Sequence, residues 1–203
     1  MASMAPLINT LLTAGLACVI LSLGGCSPAI KLDDFGSVAD FSLKNQEEKT
    51  VSLQDLKGKV WVAGFVFTRC AGPCAQITGN MARLQRDLAK QENVVLVSFS
   101  VDPEFDTPSV LKDYAQRHGA NPRRWFFLTG EKKAVYDLIG SSFHLGVQEA
   151  KGKTRTPGNE VTHSTKLALV DAGGRIRGYF DGTDDGQLEK LRQDVAELSR
   201  EKP

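Results

Sequence analysis

The chain has 203 residues, and its 25 basic and 24 acidic side chains leave a net charge of +1. A nucleic-acid-binding module would normally show a basic surplus, so this balance argues against that class of protein. A domain of this length buries a core without help from disulfides. The four cysteines, Cys18, Cys26, Cys70 and Cys74, therefore indicate chemistry rather than a disulfide scaffold.

The chain opens with an uncharged leader, since residues 1–30 contain no Lys, Arg, Asp or Glu. Within it, the mostly apolar run Leu11–Leu23 has the length of a signal-peptide core and is too short to span a bilayer. The run ends at Leu-Gly-Gly-Cys (23–26), which resembles the lipobox of bacterial lipoproteins. The resemblance implies cleavage before Cys26 and attachment of two or more acyl chains to it, which suffices for stable anchoring.

A second interpretation of the leader stays open, because no Lys or Arg precedes Lys31 and a signal peptide usually opens with positive charge. It is an uncleaved membrane anchor that extends upstream towards Pro6. Both interpretations put the rest of the chain outside the cytoplasm. In both, Cys18 lies in the apolar core of the leader, where we expect it to be inert.

Beyond the leader the sequence has no internal repeat, and it predicts one domain over residues 39–200, after a signal peptide over 1–25 and a lipidated tether over 26–38. Val60–Phe67 is a continuous β-prone run, typical of a central strand covered on both faces, and Asn93–Val101 has the same character. Shorter strand signals predict an entrance hairpin over Asp40–Leu53, a strand over Trp125–Leu128, and a hairpin of Leu167–Val170 with Arg175–Phe180.

Helix signals alternate with these strands. Thr107-Pro108 opens one helix with a hydroxyl at the N-cap and a proline in the first turn. Other helices are predicted after Cys74 (Ile77, Met81, Leu84, Leu88), over Glu131–Ile139 closed by Gly140, and at the end of the chain (Leu188, Leu191, Val195, Leu198). The polar stretch Gln148–Glu160 predicts an exposed loop or hairpin tip. The order β-α-β-α-β-β-α around a mixed sheet predicts a thioredoxin-like α/β fold.

Two cysteines lie where the first central strand turns into its helix, in Thr68–Cys74. Their spacing, Cys-x-x-x-Cys, is one residue longer than in thioredoxin-type redox proteins. A thiol at a helix N-terminus meets the positive end of the macrodipole, and Arg69 adds a positive charge, so the thiolate is expected to be favoured. If the turn is helical, Cys70 and Cys74 share one face and are close enough to bind one ion or to cross-link.

Two thiolates select soft metals such as Cu(I), and a histidine is the natural further ligand. His118 falls in the last turn of a helix, where it would serve the C-terminal carbonyls, and His144 lies in an apolar patch that suggests a packed or surface role. His163 immediately precedes a predicted core strand, where thioredoxin-like folds usually carry a cis-proline that faces the cysteine turn. We predict His163 as a metal ligand, with a satisfied core histidine as the alternative. The resulting set is trigonal for Cu(I), or tetragonal for Cu(II) with one further ligand.

With these residues the chain resembles the Sco family, also called SenC, of copper-binding assembly factors for cytochrome c oxidase. The resemblance runs from about Asp40 to Leu198 through Phe-Thr-Arg-Cys (67–70), Cys74, Ser-Phe-Ser-Val-Asp-Pro (98–103), Asp-Thr-Pro (106–108), Leu-Thr-Gly (128–130), His163-Ser164 and Leu-Val-Asp (169–171). It implies a thioredoxin-like fold with an extra β-hairpin and copper ligands Cys70, Cys74 and His163. It also implies oxidase subunit II as acceptor, with a copper donor and a thiol reductant as further partners.

The family commonly reads Cys-Pro-x-x-Cys-Pro, whereas here Ala71 and Ala75 replace both prolines and Pro73 lies between the cysteines. This departure bears on the stiffness of the turn, and therefore on copper affinity and thiol reduction potential. The resemblance implies a membrane-tethered copper metallochaperone that faces the periplasm. The choice between inner and outer membrane is open, and the oxidase partner favours the inner membrane of a bacterial cell. The alternative is a thiol–disulfide oxidoreductase that keeps the cysteines of the oxidase subunit reduced through a Cys70–Cys74 disulfide. A peroxiredoxin-like peroxidase fits less well, because Thr68 stands one residue too close to Cys70.

Overall fold

The computed structural model describes Met1 and residues 32–200. Its strands are β1 (Ser42–Asn45), β2 (Thr50–Ser52), β3 (Val60–Val66), β4 (Val94–Ser100), β5 (Trp125–Thr129), β6 (Val147–Glu149), β7 (Val161–His163), β8 (Lys166–Val170) and β9 (Ile176–Asp181). Its α-helices are α1 (Leu53–Leu56), α2 (Cys74–Asp87), α3 (Pro108–Arg117), α4 (Lys132–Ser142) and α5 (Asp185–Leu198). The predictions for the leader, with Cys18 and the lipid-bearing Cys26, concern residues outside this described part.

Seven of the strands form one mixed sheet in the order β2-β1-β5-β4-β3-β8-β9. Strands β3, β4 and β5 run parallel, while β8 pairs antiparallel with β3. Every residue of β3 and β4 is buried, as the unbroken apolar runs predict for strands covered on both faces. The thioredoxin-like α/β fold is confirmed, and β6 and β7 pair as a separate two-stranded hairpin.

Both faces of the sheet are packed around β3, and this packing holds the end of the strand from which the cysteine turn continues. On one face Gly64 leaves room for Met81 of α2, because a Cβ there would come within 2.7 Å of the Met81 sulfur. On the other face Phe143, just beyond α4, packs against Trp61 and Phe65 with ring centroids 6.2 and 5.1 Å away. Edge-to-face contacts of this kind add to the free energy gained from burying the rings.

The longer predicted elements are confirmed, whereas several finer features differ. Glu160, the last residue of the stretch predicted to be exposed, is buried because it pairs with Arg69. Helix α4 runs to Ser142, through Gly140, so the prediction that Gly140 closes it is wrong. A glycine inside a helix costs about 1 kcal/mol relative to alanine, and the buried Ile139, Ser142 and Phe143 around it repay that cost. Strands β6 and β7 and helix α1 were not predicted, because segments of three or four residues are too short to show a periodicity. Within the described residues no helix is long and apolar enough to span a membrane.

Candidate metal centre

The two cysteines of the motif differ in environment because α2 begins at Cys74. Residues 68–73 form turns and bends rather than a helix, so the condition for a helical i, i+4 pair is not met. Cys74 is 1% exposed, whereas Cys70 is half-buried at the surface of the turn. The backbone N–H of Gly72 donates to the Cys70 sulfur at 3.3 Å. The turn therefore holds one thiol in the core and one at the mouth of the site.

His163 ends β7, and its Nε2 lies 3.3 Å from the Cys74 sulfur. Its other ring nitrogen, Nδ1, is 2.9 Å from the carbonyl oxygen of Ser164. Since a carbonyl only accepts, Nδ1 carries the proton and the lone pair of Nε2 faces the thiol. Burial lowers the pKa of His163, which keeps the ring neutral. The histidine is therefore in the protonation state that a metal ligand requires.

The Cys74 thiol is protonated, contrary to what a helix N-terminus suggests. Burial raises the pKa of Cys74 well above its ordinary value, and the neighbouring Cys70 raises it further. A helix macrodipole stabilises a charged group at its end by about 0.3–1 kcal/mol. Full burial can disfavour the charged form by several times that energy, because it moves a pKa by up to about 3–5 units and one unit corresponds to about 1.4 kcal/mol. Desolvation therefore outweighs the dipole and favours the protonated thiol of Cys74.

The sequence suggested that Arg69 supplies a free positive charge to the cysteines, and the structure shows that it does not. Its guanidinium pairs with Asp102 at 2.5 Å and with Glu160 at 3.1 Å, and both carboxylates are largely buried. It also lies 4.1 Å above the ring of Phe105. Because Asp102 follows β4 and Glu160 precedes β7, Arg69 links the cysteine turn to two other elements.

A buried carboxylate, which the sequence did not single out, anchors the start of the same turn. Asp106 accepts hydrogen bonds from the Thr68 backbone N–H at 3.2 Å, from the Thr68 hydroxyl at 2.5 Å and from the Ser100 hydroxyl at 2.6 Å. Burial raises the pKa of Asp106, and these three donors act against that shift. The Asp-Thr-Pro signal (106–108) marks this residue as well as the N-cap of α3.

Asp106→Ala is expected to lower the free energy of unfolding by about 2–4 kcal/mol, because it leaves the Thr68 and Ser100 donors buried without their acceptor. Urea denaturation followed by circular dichroism measures the change. The control is Asp113→Ala, since Asp113 is exposed on α3. Equal stabilities of the two variants would contradict the anchoring role.

The tip of the β6–β7 hairpin rests on the cysteine turn. The backbone N–H of Ala71 donates to the carbonyl oxygen of Gly158 at 3.0 Å. Gly158 has a φ of +83°, and a Cβ at this position would clash with the Cβ of Ala71. A glycine is therefore required here both by backbone conformation and by close approach.

Gly158→Ala is expected to push the tip away from the turn and to accelerate hydrogen exchange at the Ala71 amide by at least about tenfold, equivalent to about 1.4 kcal/mol. Gly152→Ala is the matched control, because Gly152 also has a positive φ, +54°, but nothing lies within 4 Å of its Cβ position. The control variant should leave exchange at Ala71 unchanged. A similar acceleration in both variants would mean that backbone strain, and not the contact, matters.

A cleft of about 360 Å³ opens between the cysteine turn and the hairpin, and its lining includes Cys70, Gly72, Gly158 and His163. In residues 32–200 no three Cys, His, Asp or Glu side chains already lie together as a complete metal site. The Cys74–His163 pair is thus the assembled part of the predicted set, and Cys70 borders it. His118 packs on Tyr114 with ring centroids 4.6 Å apart.

The fold and the site together define a thioredoxin-like domain whose strand–helix turn carries two thiols, one of them in contact with a neutral imidazole. The sequence profile of the SCO1/SenC family matches residues 32–200. The chain therefore belongs to the SCO1/SenC family, as the sequence resemblance predicted.

Three proteins are similar to this chain over most of its length. The crystal structure of a SCO1/SenC family lipoprotein from Bacillus anthracis is 32% identical, with a TM-score of 0.73 over 81% of this chain and 95% of that one. BsSco, described as a member of the Sco family of cytochrome c oxidase assembly proteins with a disulfide switch, is 34% identical, with a TM-score of 0.71 over 84% and 98%. A Stutzerimonas stutzeri protein named as a candidate copper-binding protein is 32% identical over 86% of this chain and 89% of its own length.

Proposed function

We propose that the chain is a membrane-anchored, extracytoplasmic copper metallochaperone that assists assembly of the dinuclear copper site of cytochrome c oxidase subunit II. Copper is its cargo, held by Cys70, Cys74 and His163. The observation that carries the proposal is the 3.3 Å contact between the Cys74 sulfur and a His163 Nε2 whose lone pair faces it. The relatives named for copper binding and for oxidase assembly support the same cargo and process.

Copper enters this site by replacing a proton. The Cys74 sulfur lies 3.3 Å from Nε2 of His163, and its thiol must lose the hydrogen because a thiolate is required for binding. Cys70, half-buried at the cleft and close enough to Cys74 to raise its pKa, completes the set. Two thiolates and a neutral imidazole give a net charge of −1 with Cu(I) and 0 with Cu(II), so the site accepts both oxidation states.

The proposed location is the outer side of the bacterial inner membrane, with a lipid on Cys26. The Leu-Gly-Gly-Cys segment (23–26) supports it, and the similar Bacillus anthracis protein is described as a lipoprotein. We further propose that a copper donor and a thiol reductant act upstream, because an empty dithiol in an oxidising compartment closes to a disulfide.

A second candidate function is thiol–disulfide exchange, and the unequal burial of the cysteines favours it. The half-buried Cys70 would attack an acceptor disulfide as a thiolate, releasing one acceptor thiolate and forming a mixed disulfide. Cys74 would then attack the Cys70 sulfur, so that the acceptor leaves reduced and the chain is oxidised to a Cys70–Cys74 disulfide. A reductant protein would restore the dithiol.

Mixing the Cu(I)-loaded chain with reduced, copper-free subunit II separates the two functions. The chaperone proposal predicts that copper moves to the subunit, which is measured by metal analysis after the proteins are separated. If copper stays on the chain, and the metal-free chain rapidly reduces a disulfide-oxidised subunit, the chaperone proposal is wrong and thiol–disulfide exchange is the function.

A further inference from the structure

The tip of the β6–β7 hairpin is a concentrated source of positive charge. Residues 151–157, which we call the basic tip, are all exposed and include Lys151, Lys153 and Arg155 but no acidic residue. None of these three cations joins an ion pair in the described part of the chain. Their charge therefore projects into solvent without local compensation.

The acidic residues nearest to the basic tip do not cancel this charge. Glu160 and Asp102 are buried and pair with Arg69. Glu149 pairs with Lys132 on α4. Asp102 and Glu160 share Arg69, and Glu149 shares Lys132 with Glu104, so two cations partly neutralise these four carboxylates. The negative charge left over is smaller than the positive charge of the three exposed cations of the basic tip, whose field therefore extends outwards.

The basic tip adjoins the proposed copper site. Gly158 and Asn159, which follow it directly, line the same cleft as Cys70, and Gly158 accepts the Ala71 hydrogen bond. Residues 71–73 on the opposite rim are exposed. A surface drawn to the basic tip is therefore brought onto the cysteine turn.

We propose that the basic tip is a docking element for the acidic face of a folded protein that carries the copper acceptor site. This role rests on the proposed function and adds the means by which the acceptor is recognised. Complementary charge raises association rates by about 10–10³-fold and fixes orientation more than it tightens binding. The basic tip thereby turns a diffusing acceptor so that its metal site meets Cys70.

A protein fits the basic tip better than a lipid surface does. The tip contains no large apolar side chain that would enter a bilayer. The exposed Phe105, 42% accessible and stacked under Arg69 beside the cysteine turn, offers instead the aromatic contact that is typical of protein interfaces.

The test compares the full chain in phosphatidylcholine nanodiscs with a charge-reversed variant, Lys151→Glu with Lys153→Glu and Arg155→Glu. Stopped-flow fluorescence measures the rate at which each of the two chains associates with the soluble domain of subunit II, between 20 and 300 mM salt. The control reverses Lys57, Lys90 and Arg123, exposed cations that precede β3, β4 and β5 and so lie at the opposite end of the sheet. Cu(I) titration of each variant checks that the site is intact.

We expect the tip variant to associate at least about tenfold more slowly at low salt, with a weakened salt dependence, unchanged Cu(I) affinity and a control close to wild type. Equal rates for the tip and control variants, with normal association of the wild-type chain, would overturn the docking role and leave the proposed function standing. No association of the wild-type chain would overturn the proposed acceptor, and the docking role with it. Tip-dependent binding to phosphatidylglycerol vesicles, with unchanged association to subunit II, would assign the basic tip to lipid instead.

Discussion

Cys74→Ala is expected to lower the Cu(I) affinity of the reduced chain by more than about a hundredfold, because it removes the buried sulfur that faces His163. The loss of a residue that merely supports a metal ligand costs about 10–100-fold, so the loss of the ligand itself should cost more. Competition with a colorimetric Cu(I) chelator measures the affinity. Cys70→Ala should produce a loss of the same kind.

The control for this prediction is Asp113→Ala, an exposed change on α3 that should bind Cu(I) like the wild type. The Cys74 side chain is only 1% exposed, so its replacement by alanine changes the core. Circular dichroism therefore checks that Cys74→Ala is folded. Wild-type affinity in folded Cys74→Ala would show that copper binds elsewhere.

His163→Ala is expected to separate copper binding from thiol chemistry. Removing the imidazole takes away one of three proposed ligands, so Cu(I) affinity should fall by more than about tenfold. The two sulfurs remain, so reduction of a small disulfide by the metal-free chain should persist. Chelator competition and a disulfide-reduction assay on the same preparation measure both properties.

His118→Ala is the matched control, because His118 is half-buried against Tyr114 away from the cleft. It should change neither property. Unchanged Cu(I) affinity in His163→Ala would make the three-ligand model wrong. Parallel loss of thiol reduction would mean that His163 also assists the exchange chemistry.

The sequence predicted the central strands and the three candidate ligands because each leaves a local signal. Val60–Phe67 is unbroken and apolar, the cysteines stand four positions apart, and His163 directly precedes a core strand. The approach of His163 to Cys74 spans 89 positions in the chain, so it followed from the fold and not from spacing.

What surrounds the ligands was less predictable, because it depends on contacts between distant segments. Asp106 binds Thr68 across 38 positions, and Asp102 reaches Arg69 across 33. The ionisation of Cys74 is not predictable for the same reason, since a helix terminus is visible in the sequence whereas the depth of burial is not. The raised pKa of Cys74 follows from the packing around it.

A Cu(I) titration of the reduced domain, residues 31–203, in weakly buffered solution at pH 7 tests the central claim most directly, because it counts both metal bound and protons released. The pKa of Cys74 is raised in the metal-free domain, so copper must displace its proton. The proposed site predicts one Cu(I) per chain, release of at least one proton, and an affinity that rises with pH. Binding of no Cu(I), or binding without proton release and with the same affinity at pH 6 and pH 8, would contradict it.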